Sequence, residues 1–402
     1  MVTNTTMPSM SILPTQIRRF VALSYPVGGG LYGKGRDDVL FAISSAVAWT
    51  ILRHVCMNHV LAPLASAVIP EEKIPKSAKG ALLRHEQRLA AKRRGHNIVR
   101  FAEQAWGMLY CTVFFTLGVI ILRRIPNALS PEQVWGTYPY TPLPYLTKWY
   151  YLAQLGWWFH QVYAINTEKR RKDYWQMFGH HFLTIALIVG SYAANYTRVG
   201  VIVHVIMDTA DIFLPLAKVL RYMNLRKACD LAFVAFLVTW IVTRQVGLFL
   251  VIRSAYLEAP KYIPFKWSPE EGIYFTKPIY YGFVVLLSIL LGLCTVWFYM
   301  AIMVAVRVVT GKGAEDVRSD SEEEDEISID GDDSDVPSVA GFGNGAANGT
   351  KGTNGVASGR ATPNGNGTSN GYANGHAYTN GFANGHSPAS SLGSANGLKQ
   401  RK

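Results

Sequence analysis

Residues 176–219 read QMFGHHFLTIALIVGSYAANYTRVGVIVHVIMDTADIFLPLAKV. Two apolar stretches, 176–194 and 199–219, flank a connection of about four residues at 195–198. Each has close to the ~20 residues that a helix needs to cross about 30 Å of hydrocarbon. So short a connection predicts a tight antiparallel hairpin pivoting near 196–197. Working outward, five more stretches have spanning length: 39–62, 101–122, 148–166, 231–252 and 279–306. The expected fold is an all-α polytopic membrane protein with about seven transmembrane helices.

Composition agrees once the C-terminal tail is set apart. The 402 residues are 49% hydrophobic and 16% charged, where soluble domains run near 25% charged. Residues 311–402 hold 18 of the 36 glycines and 12 of the 27 acids, which leaves the first 310 residues at a formal +17. A body both very apolar and basic is neither an ordinary soluble enzyme nor a disordered chain. Its cations belong in loops between spans, and no nucleic-acid partner is expected. The four cysteines, Cys56, Cys111, Cys229 and Cys294, have no metal or redox spacing and read as buried free thiols.

Charge also sets orientation. The connections 71–100, 168–174, 221–227 and the start of the tail carry 19 Lys and Arg, against 12 in the alternate set. The positive-inside rule puts the first set in the cytosol, the N-terminus in the lumen and the tail in the cytosol. The domains expected are a lumenal segment 1–38, a first span 39–70, a basic cytosolic linker 71–100, a membrane domain 101–310 and a tail 311–402. Asn4 heads a glycosylation sequon on the lumenal side. A second sequon at Asn195 sits too close to two helices to be modified readily. The tail starts acidic and continues with ten Asn-Gly steps; too poor in apolar residues to offset ordering entropy, it is expected to be disordered. Ser319 and Ser321 each have an acid three residues on and are candidate phosphorylation sites.

Chemistry is expected where polar groups enter the membrane at a cost. These are His160, His180, His181, His204, Asp208, Asp211 and Arg244. His204, Asp208 and Asp211 are spaced i, i+4, i+7 and share one helix face. In the hairpin, residues of equal depth sum to about 393, so His181 lies opposite residue 212, beside Asp211. Two imidazoles and one or two carboxylates thus meet near the cytosolic face. Interhelical hydrogen bonding alone is the bland account of such a cluster. Metal binding is disfavoured: the body has eight histidines, none in an HxxxH or HxxHH pattern. A proton-coupled carrier is disfavoured by the lack of inverted repeats. Acid–base or nucleophilic catalysis on a lipid fits best, with a His accepting a proton and a carboxylate orienting it.

The run Lys169-Arg170-Arg171-Lys172-Asp173-Tyr174-Trp175-Gln176-Met177-Phe178-Gly179-His180-His181, continued by Met207-Asp208-Thr209-Ala210-Asp211-Ile212-Phe213 through Lys218, resembles the Lag1 motif of ceramide synthases. The resemblance covers about 101–307, the TLC domain, and Arg244 falls where family members have an arginine. Met207 stands where animal members commonly have a histidine, and 71–100 is too short for the homeobox-like insert many of them carry, so the chain resembles fungal members.

That resemblance implies six helices in a TLC-type barrel and N-acylation of a sphingoid long-chain base by fatty acyl-CoA at the endoplasmic reticulum membrane. His180 or His181 would be base or nucleophile, and Asp208 or Asp211 would orient it or hold the substrate ammonium. Arg244 and the basic run Lys169, Arg170, Arg171 and Lys172 would help bind the acyl-CoA, whose phosphates arrive from the cytosol. No tightly bound cofactor and no metal are required. Membrane lipids surround the enzyme, and a small accessory membrane subunit and a homo- or hetero-dimer are partners the resemblance admits. A second class stays open: some TLC-domain proteins resemble translocon-associated or lipid-sensing proteins instead of enzymes.

Overall fold

The structure is a computed structural model that describes residues 14–74, 79–168 and 173–310. Asn4, Lys169, Arg170, Arg171, Lys172, Ser319, Ser321 and the tail from residue 311 lie outside the described residues.

Among the described residues, seven long helices match the seven apolar stretches: α1 Asp37–Val68, α2 Gly80–Arg123, α3 Tyr145–Thr167, α4 Tyr174–Ala193, α5 Thr197–Tyr222, α6 Arg226–Tyr262 and α7 Lys277–Val309. Five of them, α1, α2, α5, α6 and α7, are long and apolar enough to cross a membrane. Helices α3 and α4, of 23 and 20 residues, have the length but carry more polar groups. Those groups are covered by neighbouring elements: Lys148, Gln154 and His160 of α3 and His180 and His181 of α4 are all buried. Packing neighbours run α2, α3, α4, α7, α6, α5 and back to α2, which closes a six-helix ring, with α1 outside it against α3.

The ring is filled unevenly. On the α2–α3–α5 side an aromatic core of Trp106, Tyr110, Phe114, Tyr150 and Trp157 is packed solid, with Trp49 of α1 wedged into it. Close approach there depends on missing side chains: a Cβ on Gly118 of α2 would come 2.5 Å from Val205 of α5. The α4–α5–α7 side is less filled and holds the cavity described below.

The turns of the hairpins are set by asparagines. Helix α4 ends in a Schellman motif. Tyr196 N–H donates to the Ser191 carbonyl at 2.8 Å, and Asn195 takes the left-handed conformation at φ +64°. Asn224 ends α5 the same way at φ +60°, with Leu225 N–H on the Leu220 carbonyl. The connection between α4 and α5 is therefore as short as the sequence requires. The Asn195 sequon is closed to modification: its side chain is buried, its amide donates to the Gly272 carbonyl at 2.7 Å and its oxygen accepts from Lys34 at 2.6 Å.

Three features differ from the sequence expectation. The basic linker 71–100 is not a separate loop, because α2 starts at Gly80 and runs 44 residues. Its first two dozen residues are rich in Ala, Leu, Arg, Lys and Glu, good helix formers whatever their polarity, so polarity changes near 100 without a break in the backbone. The fold is also not purely helical. Strand β1 (Pro26–Gly28) pairs with β2 (Leu31–Tyr32), which pairs with β3 (Leu143–Pro144), and β4 (Lys266–Ser268) pairs with β5 (Ile273–Phe275), all antiparallel. Finally, the segment before α1 is anchored to the bundle. Lys148 on α3 pairs with Asp38 at 2.6 Å and donates to the Ser24 and Gly33 carbonyls, and Tyr192 on α4 donates to Asp38 at 2.8 Å. A buried lysine needs such partners, and they fold the segment over the ends of α3 and α4.

Candidate active site

One cavity runs along the α4–α5–α7 side of the ring. At one end it meets His180, Asp208 and Asp211; at the other it meets Trp135, Tyr196, Phe275 and Tyr280. From Asp211 to Val199 along α5 the lining covers about 18 Å at 1.5 Å per residue. Between the ends the walls are mostly aliphatic and aromatic, including Leu187, Ile188, Val203, Phe283 and Leu287. The cavity is thus apolar, elongated and polar chiefly at one end.

The adjacent histidines are not equivalent. His180 lines the cavity, and its Nδ1 has no hydrogen-bond partner among the described residues. Its ring is held edge-on between Trp158 of α3, with centroids 5.4 Å apart, and Trp297 of α7, at 5.0 Å. His181 does not line the cavity. Its Nδ1 bonds the Met177 carbonyl one turn back, and its ring also packs on Trp158, at 5.3 Å. Neighbours on a helix point about 100° apart, so one of the pair must turn away from the cavity. With Nδ1–H donated to a carbonyl, the His181 lone pair lies on Nε2.

The two aspartates differ as sharply. Asp211 pairs with Arg244 at 2.6 Å; the arginine side chain is 4% exposed and the aspartate 46%. The same guanidinium donates to the Met207 carbonyl at 2.6 Å and lies over the Trp240 ring at 4.1 Å. A π-helical turn over Ile241–Gly247 carries Arg244; such turns insert a residue and are frequent at functional sites. Pro215, one turn after Asp211, has no N–H to offer the Asp211 carbonyl, so α5 is weakened just where it carries this pair. Asp208, by contrast, faces a neutral donor. Its Oδ2 accepts from the Gln154 amide at 3.4 Å, and Gln154 in turn accepts from the Tyr110 hydroxyl.

The hairpin arithmetic brings one histidine and both carboxylates to one cavity, but it is His180 and not His181 that shares it. No hydrogen bond joins either histidine to either aspartate. His204 also lines the cavity, between the Tyr150 and Tyr151 rings. His160 stands apart, bonded to Thr50 at 2.9 Å between α1 and α3. Sequence reasoning passed over Gln154, although an amide in the middle of the 148–166 stretch is itself a signal, and over Trp158 and Trp297, which carry none. Among the described residues no three His, Cys, Asp or Glu side chains are grouped to hold a metal ion; the cysteines are free thiols, but Cys294 alone of the four is buried, and Cys56, Cys111 and Cys229 are half-buried.

Residues 100–303 match the model of the TLC domain family. A ceramide synthase of Gibberella moniliformis is 34% identical over 325 residues, covering 74% of this chain and 71% of the relative. A sphingosine N-acyltransferase of Schizosaccharomyces pombe is 35% identical over 309 residues, covering 76% of this chain and 73% of the relative. A ceramide synthase of Saccharomyces cerevisiae is 28% identical over 316 residues, covering 77% and 71%.

Proposed function

Since the chain belongs to the TLC-domain family of ceramide synthases and sphingosine N-acyltransferases, we propose that it transfers a fatty acyl group from acyl-CoA to the amine of a sphingoid long-chain base. The products are a ceramide and CoA. The observation that carries this reading is the cavity: His180, whose Nδ1 has no hydrogen-bond partner among the described residues, and Asp208 line one end of a long apolar volume. A thioester with a long acyl chain needs both, an apolar enclosure for the chain and a reactive group at the carbonyl. The basic run 169–172 and the other cytosolic cations supply the charge that attracts the CoA phosphates.

The reaction proceeds in two steps. His180 attacks the thioester carbonyl, the C–S bond breaks, and CoA leaves as its thiol or thiolate. The acyl group stays behind on the imidazole with its chain in the cavity. The amine then attacks the acyl-imidazole, the C–N bond to His180 breaks, and the amide forms. The substrate enters as an ammonium, so one net proton is released when CoA leaves as the thiol. Asp208 pairs with the ammonium and takes its proton as the nitrogen becomes nucleophilic. Two facts support acylation of His180 over a base role: no carboxylate bonds it to stabilise an imidazolium, and two long chains address one apolar cavity. Asp211, already neutralised by Arg244, holds that end of α5 and α6 together.

The test is mass spectrometry of the full-length protein mixed with palmitoyl-CoA in the absence of sphingoid base. A palmitoyl increment on His180, discharged by adding sphinganine, is expected. Ceramide formation without any such adduct would transfer the imidazole to the role of general base. An enzyme that turns over no acyl-CoA would favour the non-catalytic, lipid-sensing class.

A further inference from the structure

Resting on that acyl-transfer reading, we propose that Tyr110 and Gln154 are positioning residues for the amine substrate. They fix Asp208 so that its outer oxygen faces the cavity and receives the ammonium of the sphingoid base. Neither residue belongs to the motif by which the sequence is recognised, and each comes from a different helix, α2 and α3, from the aspartate on α5.

The chain of contacts has one direction. Tyr110 stacks flat on Trp157, with centroids 3.5 Å apart and planes 7° from parallel, and meets Trp49 edge-on at 5.7 Å. Its ring is therefore fixed and its hydroxyl has one place to go, the Gln154 side-chain oxygen. An amide whose oxygen is engaged by a hydroxyl donor must turn its NH₂ the other way, and there it meets Asp208 Oδ2 at 3.4 Å. Gln154 is fully buried and has no solvent alternative. It is the one hydrogen-bond partner of the Asp208 side chain among the described residues.

The choice of partner decides the chemistry. Three residues along the same helix, Asp211 faces a guanidinium at 2.6 Å, and a carboxylate so paired has little left for a second cation. Asp208 has a neutral donor, which orients without neutralising. A buried carboxylate held this way is costly until a cation arrives, so the site favours a positively charged ligand over the neutral amide product.

The experiment uses the full-length purified protein, with initial rates measured as palmitoyl-CoA and sphinganine are varied separately. Tyr110→Phe removes one oxygen, and Gln154→Met keeps the volume but loses both ends of the amide. Losing a hydrogen bond of ordinary strength should raise the KM for sphinganine about 3- to 10-fold in Tyr110→Phe, and at least as much in Gln154→Met. The KM for palmitoyl-CoA and the burst of His180 acylation should stay as in the wild type. Because Tyr110 acts through Gln154, the double variant should match Gln154→Met alone. An unchanged sphinganine KM in both variants would overturn the proposal, as would an equal rise for both substrates or additive effects in the double variant. Failure of the wild type itself to make ceramide would instead refute the acyl-transfer reading, and this proposal with it.

Discussion

The ion pair between α5 and α6 offers a quantitative test because its two ends differ in burial. Arg244 is 4% exposed and Asp211 46%. Asp211→Ala leaves a guanidinium inside the bundle whose remaining partners among the described residues are the Met207 carbonyl and the Trp240 face. Breaking a buried pair by removing one partner costs 3–5 kcal/mol, and the half-exposed partner argues for the lower end, about 3 kcal/mol. At about 1.6 °C per kcal/mol for roughly 300 folded residues, the midpoint of thermal unfolding should fall by roughly 5 °C. Arg244→Met leaves a carboxylate that is already half exposed, so its loss should be well under half of that. The double variant, with no charge left unpaired, should recover most of the difference. The assay is intrinsic tryptophan fluorescence during heating in detergent, with the cycle of four proteins measured side by side. A wild-type midpoint in Asp211→Ala, or a larger drop in Arg244→Met, would refute the assignment of Asp211 as the counter-ion that keeps Arg244 buried.

Other outcomes follow from the same geometry. His180→Ala, which removes the proposed nucleophile and the packing on Trp158 and Trp297, should abolish ceramide synthesis and lower the thermal midpoint, whereas His181→Ala, which loses the Met177 bond and the contact with Trp158, should lower the midpoint with a smaller loss of rate. Asp208→Asn should weaken use of sphinganine more than acylation of His180, seen as a preserved acyl-enzyme burst followed by slow discharge. Burial pushes the Lys34 ammonium down to about 7, with Lys148 adding to the effect and Asp38 opposing it. Its unfolded value is higher, so the unfolded chain binds the extra proton between about pH 7 and the ordinary lysine range, and stability should rise with pH through that window. Lys34→Met should flatten this rise in a pH series of thermal midpoints.

The helices were legible because lipid forces long apolar runs, and the short 195–198 connection paired α4 with α5 without any coordinates. The i, i+4, i+7 pattern of His204, Asp208 and Asp211 likewise put the three on one face, and all three line the cavity. What sequence could not supply was the choice between adjacent or nearby groups. His180 and His181 differ only in rotation about α4, and the packing of Trp158 and Trp297 decides which one faces inward. Asp211 looked closest to the histidines in depth, but its partner comes from a π-helical turn on α6, and a one-residue insertion in a helix has no periodicity to betray it. The strands around β2 escaped for a different reason: pieces of two or three residues carry too few alternations to register.

The central claim, that this bundle is an acyl transferase working through His180, is tested most directly by the products of one reaction. Full-length protein purified in detergent is incubated with palmitoyl-CoA and sphinganine, and free CoA thiol and N-palmitoyl sphinganine are both quantified over time, beside His180→Ala. The account predicts that the two products accumulate in equal amounts and that neither accumulates with the variant. CoA released without amide, or amide formed at an undiminished rate by His180→Ala, would contradict it.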